Sequence, residues 1–322
     1  MLFLVISSLV YTAQYGDSAN ASGTSSTALG DEATSSGEYS TATGTNSNAT
    51  GANSTSIGEQ STSSGQNSTT VGTGSKASGK SSVVLGAFST ASGNDTTAVG
   101  TYSNATGMNA TAIGMESIAT GNFSTSLGTA TEASGTSSTA VGTQSKATGD
   151  NTTAMGTASS ASGDSSMAMG GFSSATGKNS VALGNGSEAK DDNTVSVGND
   201  TTKRRMTNMS EGIAGSDGVT VSQLNRKADE LNHRIDKVEK DSNRGLSLMA
   251  AMAAMDFGQA EPGDLLVGAG VGHYENSQGV ALGIMYAPTD STRATIKYSV
   301  SADDIKTSAL GVGVTHKIGN FI

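Results

Sequence analysis

Glycine recurs at every seventh position from Gly16 to Gly184, twenty-five times without a miss. Two kinds of heptapeptide alternate between these glycines. One reads TYSNATG (101–107) or TQSKATG (143–149); the other reads TSSTAVG (136–142) or KNSVALG (178–184). The true period is therefore 14, and it runs at least twelve times. A short fixed period marks a solenoid, in which each repeat is one coil stacked on the next. Such coils make a long surface more readily than a catalytic pocket. Hydrophobic residues are 34% of the 322-residue chain and aromatics 4%, too few for one large compact core. A composition of this kind also suits disorder, but a disordered chain has no use for so strict a register.

The repeat array spans 16–198. Its glycines are expected at corners with φ > 0, dividing each coil into two short extended pieces. In every second heptapeptide the residue before glycine is large and apolar: Leu29, Ile57, Val71, Leu85, Val99, Ile113, Leu127, Val141, Met155, Met169, Leu183 and Val197, with only Thr43 departing. One position earlier alanine is favoured, as at Ala77, Ala91, Ala98, Ala112, Ala140 and Ala147. Side chains alternate along a strand, so these rows face opposite ways. Alanine suits the cramped inside of a thin coil. The larger row then forms an unbroken outer stripe, which is expected to be buried against another chain. Each such burial contributes about 1.5–3 kcal/mol. Association is thus expected to be a condition of folding.

The period stops at Asp191, and 199–220 is polar and irregular, with the basic run Lys203-Arg204-Arg205. From 221 to 245 the apolar spacing becomes 3 and 4 (Val221, Leu224, Ala228, Leu231, Ile235, Val238), a heptad seam flanked by Arg234 and Glu239. NRGLSLMAAMAAMDF (243–257) continues it as a helix of small residues and methionine. Four stretches of strand length follow, at 264–274, 278–287, 291–301 and 307–318, each near the length a tilted membrane strand needs. Leu265, Val267, Ala269 and Val271 oppose Gly268, Gly270 and Gly272; Leu310, Val312 and Val314 oppose Gly311 and Gly313. Four strands cannot close a barrel, and an open edge is forbidden in lipid. Three copies supply twelve strands, which can close around three Ala/Met-rich helices. Residues 1–15 read either as a truncated secretion signal or as a buried first strand.

The formal net charge is −10. The array carries thirteen acidic and five basic residues, the wrong sign for a nucleic-acid partner. There is no cysteine, hence no thiolate site. His233, His273 and His316 stand alone, without partners at metal-ligand or triad spacing. No Lys-Ser/Thr follows the glycines as a phosphate loop requires. The sequence therefore offers no catalytic, cofactor or metal-ligating residues, and an enzyme is not expected. Two other long-surface classes remain. An ice-binding solenoid needs purer outward rows than these, and a phage or secreted fibre has no need of lipid-length strands.

In order, the segments resemble the YadA-like trimeric autotransporter adhesins, the Oca family. SSTAVG (137–142) and SKASG (75–79) are similar to the alternating head motifs, RRMTNMSEG…VTVSQL (204–224) to the neck, and NRGLSLMAAMAA (243–254) with the four strands to the membrane anchor. The resemblance implies a mainly β protein. Its head would be a trimeric left-handed parallel β-roll at 16–198, followed by a neck at 199–220 and a short trimeric coiled-coil stalk at 221–245. An outer-membrane anchor at 246–322 would form a 12-stranded β-barrel from three chains. It also implies a homotrimer that crosses the outer membrane through its own anchor, with bacterial outer-membrane lipid and the outer-membrane assembly machinery as partners. The head would face the cell surface and attach to host matrix, cells, surfaces or other bacteria. The expected trimer contacts are Leu29, Ile57, Val71, Leu85, Val99, Ile113, Leu127, Val141 and Leu183 in the head, with Leu224, Leu231, Ile235 and Val238 in the stalk. Asn179-Ser180-Val181-Ala182-Leu183-Gly184 is near the NSVAIG form carried by the family's collagen binders; the same segment is also the repeat consensus, and it is the candidate ligand-binding segment.

Overall fold

The computed structural model describes residues 12–319. The signal reading of 1–15 therefore lies mostly outside the described residues. Ala13–Tyr15, which are described, form a strand paired with Thr27–Leu29. The chain divides into two units, up to Arg205 and from Met206 onward.

In the first unit each 14-residue repeat is one coil with two strands. A three-residue strand such as Thr27–Leu29 alternates with a two-residue strand such as Thr34–Ser35. Each pairs in parallel with its equivalent in the next coil, Thr27 with Thr41 and Thr34 with Asn48. The longer strands stack into a 14-stranded sheet and the shorter into a 13-stranded sheet. Between the two sheets lies a core made of very small side chains. Ala98, Ala112, Ala140 and Ala147 are fully buried. Interleaved with them are buried hydroxyls three residues after most of the repeat glycines, many of which donate to that glycine's carbonyl: Ser40 to Gly37 at 2.6 Å, Ser82 to Gly79 at 2.7 Å, Thr152 to Gly149 at 2.6 Å.

The corners differ from the expectation that glycine takes them all. Alternate repeat glycines, such as Gly30 at φ +136°, do occupy the positive-φ region. The tighter left-handed corner falls two residues after each glycine, and it is held mostly by other residues: Glu32, Tyr39, Asn46, Asn53, Asn67, Phe88 and Tyr102 lie at φ 55–59°. That conformation aims the corner N–H at the preceding coil, as Glu32 N does to Asp17 O and Tyr39 N to Thr24 O, both at 2.8 Å. Glycine is needed for a second reason, which is closeness. A Cβ on Gly79 would sit 2.5 Å from the carbonyl carbon of Gly93 and nearer still to its oxygen.

The second unit begins with irregular chain and then one helix, Val221–Ala253. Thr220 caps it: its hydroxyl accepts from Gln223 N, and the Gln223 side chain accepts from Thr220 N at 3.1 Å. The helix passes through the 245/246 division without a break. Four strands follow, Leu265–Tyr274, Ser277–Thr289, Thr292–Ser301 and Ser308–His316. They pair antiparallel in chain order. The register shifts between Tyr286 and Thr289, around Pro288, which has no N–H to give the ladder. One face of this sheet packs on the helix through Ser247, Leu248, Ala251 and Met255. Glycine makes the approach possible. A Cβ on Gly279 would lie 2.7 Å from Ser247 O, and those on Gly270 and Gly272 would strike the backbone of Ala251.

Candidate functional site

The two sheets of the first unit present different outer faces. On the longer-stranded sheet, Leu29, Ile57, Leu85, Ile113, Leu127 and Leu183 are exposed, retaining 37–46% of their surface. Val71, Val99 and Val141 fill the same row half-buried. On the shorter-stranded sheet the equivalent row is hydroxylic, running from Ser22, Ser36 and Thr50 to Ser162 and Thr176. The row beside it mixes Asn48, Thr62, Lys76, Ile118 and Glu132. A single chain thus has one apolar face left open and one face already suited to water.

The segment 179–184 straddles this division. Ser180 and Ala182 are fully buried, so neither can touch a ligand. Asn179 is an exposed left-handed corner, Val181 is half-buried, and Leu183 is 46% exposed within the apolar row. Only Asn179, Val181 and Leu183 of the six present side chains outward.

Arg204 is a functional side chain that the repeat pattern did not single out. Its guanidinium donates to Asn185 O at 2.5 Å, Val197 O at 2.7 Å and Ser187 Oγ at 2.9 Å. These groups belong to the last coil, where no further coil follows to take its carbonyls. Arg204 takes over that pairing and closes the stack.

In the second unit, the seam residues Leu224, Leu231, Ile235 and Val238 are 48–68% exposed on the helix. Arg234 and Glu239 line the same apolar groove as Leu231, Ile235 and Val238. The start of the helix is fastened from outside. Gln223 Nε2 donates to Gly212 O at 2.8 Å, and Arg226 holds both oxygens of Glu211 at 2.6 and 2.8 Å. The Arg226 hydrogen bonds hold the Glu211 carboxyl below its ordinary range. The N–H groups of Ala214 and Ile213 do the same for Asp217.

Away from the helix, the four-stranded sheet presents a band of large apolar side chains. Val267, Leu282, Ile296, Leu310 and Val312 are 56–75% exposed. Tyr286 and Tyr298 are half exposed on the same face. Among the described residues, the strands Leu265–Tyr274 and Ser308–His316 each have one neighbour only, so both sheet edges are free. His316 Nδ1 pairs with Thr292 Oγ1 at 2.7 Å and His233 is exposed. Among the described residues no cluster of His, Asp or Glu could hold a metal ion.

The family described as YadA head domain repeat matches in successive stretches from residues 21–47 to 175–201, together more than half of the chain. The YadA-like membrane anchor domain matches residues 258–317. The chain belongs to the YadA-like trimeric autotransporter adhesins. As in other YadA-like adhesins, its anchor lies in the outer membrane and its head is exposed at the surface. The family is of adhesin type. Among solved structures, the collagen-binding domain of the Yersinia adhesin YadA is similar at 27% identity, over 56% of this chain and 86% of that one, with a TM-score of 0.41. No curated protein matches this YadA-like chain.

Proposed function

We propose that three copies of this chain assemble into one surface adhesin that carries its own heads across the outer membrane and then holds them outside. The observation that carries this reading is the four-stranded sheet, apolar on its outward face and free at both edges. In lipid a free edge leaves backbone N–H and C=O groups without partners, at several kcal/mol each. Pairing the last strand of one copy with the first strand of the next removes every edge, and three copies give a closed barrel of twelve strands. Assembly would also bury the rows through Leu29 and Leu183 in the head and through Leu224 and Val238 in the stalk. The sheet's outward band would face outer-membrane lipid, with insertion by the outer-membrane assembly machinery.

The head would attach to host matrix or cell-surface molecules through the faces that assembly leaves free, the hydroxylic sheet and the corners. Of the expected ligand segment, the corner residue Asn179 stays on such a free face, whereas Leu183 lies in the row that assembly would cover. The test is display of the full chain on a bacterial surface. A trimer band in unheated SDS that falls to monomer on boiling, with adhesion to a panel of matrix proteins, is the expected result. A monomer band in unheated samples refutes the assembly. A trimer that adheres to no matrix protein or cell refutes the attachment.

A further inference from the structure

The strand Thr292–Ser301 carries two cations, Arg293 and Lys297, on the row that faces the helix. That row alternates with Ile296 and Tyr298, which are 56% and 50% exposed, and it ends in Ser299 and Ser301, both fully buried. Lys297 stands in register between Gly283 and Gly311 of the adjoining strands, so no side chain crowds it from either side. Its Nζ donates to Met252 O at 2.8 Å and lies 5.6 Å from the centroid of the Phe257 ring. Phe257 is itself seated on glycine: a Cβ on Gly268 or Gly283 would meet its ring at 3.0 or 3.1 Å. Arg293 reaches the carbonyl of Gly258 at 3.4 Å.

These contacts gather at one place, the end of the helix. The last carbonyls of a helix have no intrahelical partner and carry partial negative charge. This helix has no basic residue in its last turn. The sheet supplies the missing cation instead. The ion pairs of this unit, Arg226–Glu211, Lys227–Glu230 and Arg244 with Asp241 and Asp304, involve neither Lys297 nor Arg293. Among the described residues, these two are the only charged side chains on the helix-facing rows of the four strands. An ammonium at membrane depth is costly unless backbone carbonyls or a cavity receive it. While the helix fills this side of the sheet, it is the helix end that satisfies Lys297.

We propose that Lys297 is the latch that seats the helix end in the lumen, and that the lumen selects anions when the latch is open. The inference rests on the barrel reading above. In a three-chain barrel each chain contributes both cations and no carboxylate to the same wall. Displacing the helices frees the ammonium groups from Met252 O and turns them toward the water that enters. A passage lined by one sign of charge concentrates the opposite ion.

The full-length trimer, purified in detergent and reconstituted into planar bilayers in potassium chloride, tests this. Lys297→Met should raise the fraction of time spent open by about tenfold, the size expected for one lost charge-assisted hydrogen bond. Lys297→Arg should stay within about threefold of wild type, because the cation is kept. Under a salt gradient, open events of the wild type should reverse at a potential of the chloride sign. The reversal should move toward zero in Lys297→Met with Arg293→Gln. Each variant is first checked for its trimer band in unheated SDS, and Lys297→Gln replaces Lys297→Met should the latter not assemble. A folded variant that opens no more often than wild type overturns the latch. Cation-selective wild-type openings overturn the selectivity. A wild type with neither trimer band nor conductance overturns the barrel reading, and this one with it.

Discussion

Two glycine substitutions in the head should have opposite outcomes. In Gly79→Ala the new Cβ would lie 2.5 Å from Gly93 C and 3.0 Å from Ser92 O, both backbone atoms that cannot swing away. The Gly93 oxygen lies nearer still, so relief to an ordinary contact needs more than about 1 Å of extra space, against a strand spacing of about 4.8 Å. The ladder bonds beside it, Ser78 N to Ala91 O at 2.9 Å and Lys76 N to Ser89 O at 2.9 Å, would stretch past hydrogen-bond range. Losing two such bonds costs about 1–3 kcal/mol, and the residual overpacking about 1–3 more. The expected destabilisation is about 2–6 kcal/mol. Gly186→Asn is the contrast. Gly186 lies at φ +66° in the left-handed corner, where a Cβ would meet only Asn199 Nδ2 at 3.8 Å. Asparagine already holds the equivalent corner at Asn46, Asn53, Asn67 and Asn109. A change within about 0.5 kcal/mol is expected, since asparagine tolerates this region and restricts the unfolded chain. Far-UV circular dichroism melts of the full chain in detergent, with protease nicking of the head, read both. A Gly79→Ala head that melts with wild type refutes the close-approach argument. A Gly186→Asn head as damaged as Gly79→Ala refutes the separation of the two roles.

Leu85 and Leu127 each keep 43% of their surface in one chain, so completing the burial is worth about 0.6–1.3 kcal/mol for each leucine. Leu85→Ser with Leu127→Ser should therefore lower the melting temperature of the trimeric head, and an unchanged melt would show that this row is not an interface. Arg204→Met should speed amide exchange across 181–199 by roughly tenfold while coils before Gly128 stay protected; uniform protection would contradict the cap. Glu211 and Asp217 are both held below their ordinary values of 4.5 and 3.8. Their folded state favours the ionised form, so their contribution is complete above those values and is lost as the pH falls below them. Amides of 211–223 should lose protection between pH 6 and about pH 3 after correction for intrinsic rates; equal protection would set the pairing aside.

Much of the architecture was legible because it is periodic. The alternation of Ala98 with Val99 placed one inside and one outside, and strand-length runs such as 264–274 and 291–301 became Leu265–Tyr274 and Thr292–Ser301. What escaped was whatever depends on neighbours distant in sequence. Glycine was read as a corner residue from its own conformational freedom, whereas Gly79 is fixed by Gly93 in the next coil. The true corners did leave a signal, namely asparagine two places after glycine at Asn46, Asn53, Asn67, Asn109 and Asn151. Arg204 looked like part of a basic run until the end of the stack supplied carbonyls for it. Lys297 lay within an ordinary alternating strand, and only the docked helix reveals why a cation stands on the inner face.

The two units share one physical solution. Where most proteins fill the space between elements with large side chains, this chain removes side chains and lets backbone approach backbone. In the head Gly79 meets Gly93; in the anchor Gly279 meets Ser247. The consequence is a small interior, lined by alanine and serine in the head and by Ala251, Ala281 and Met255 in the anchor. Small interiors bury little apolar area per residue, and the hydrophobic term scales with that area. The large apolar residues have been moved outward, to Leu85 and Ile113 on one unit and to Val267 and Leu310 on the other. Each outward row then needs something to cover it. In the proposed assembly that would be lipid and the free edges of two further copies for the anchor sheet, and two further copies for the head. A chain built this way leaves its largest apolar surfaces for association to bury, which is why one assembly step would complete both the head and the anchor.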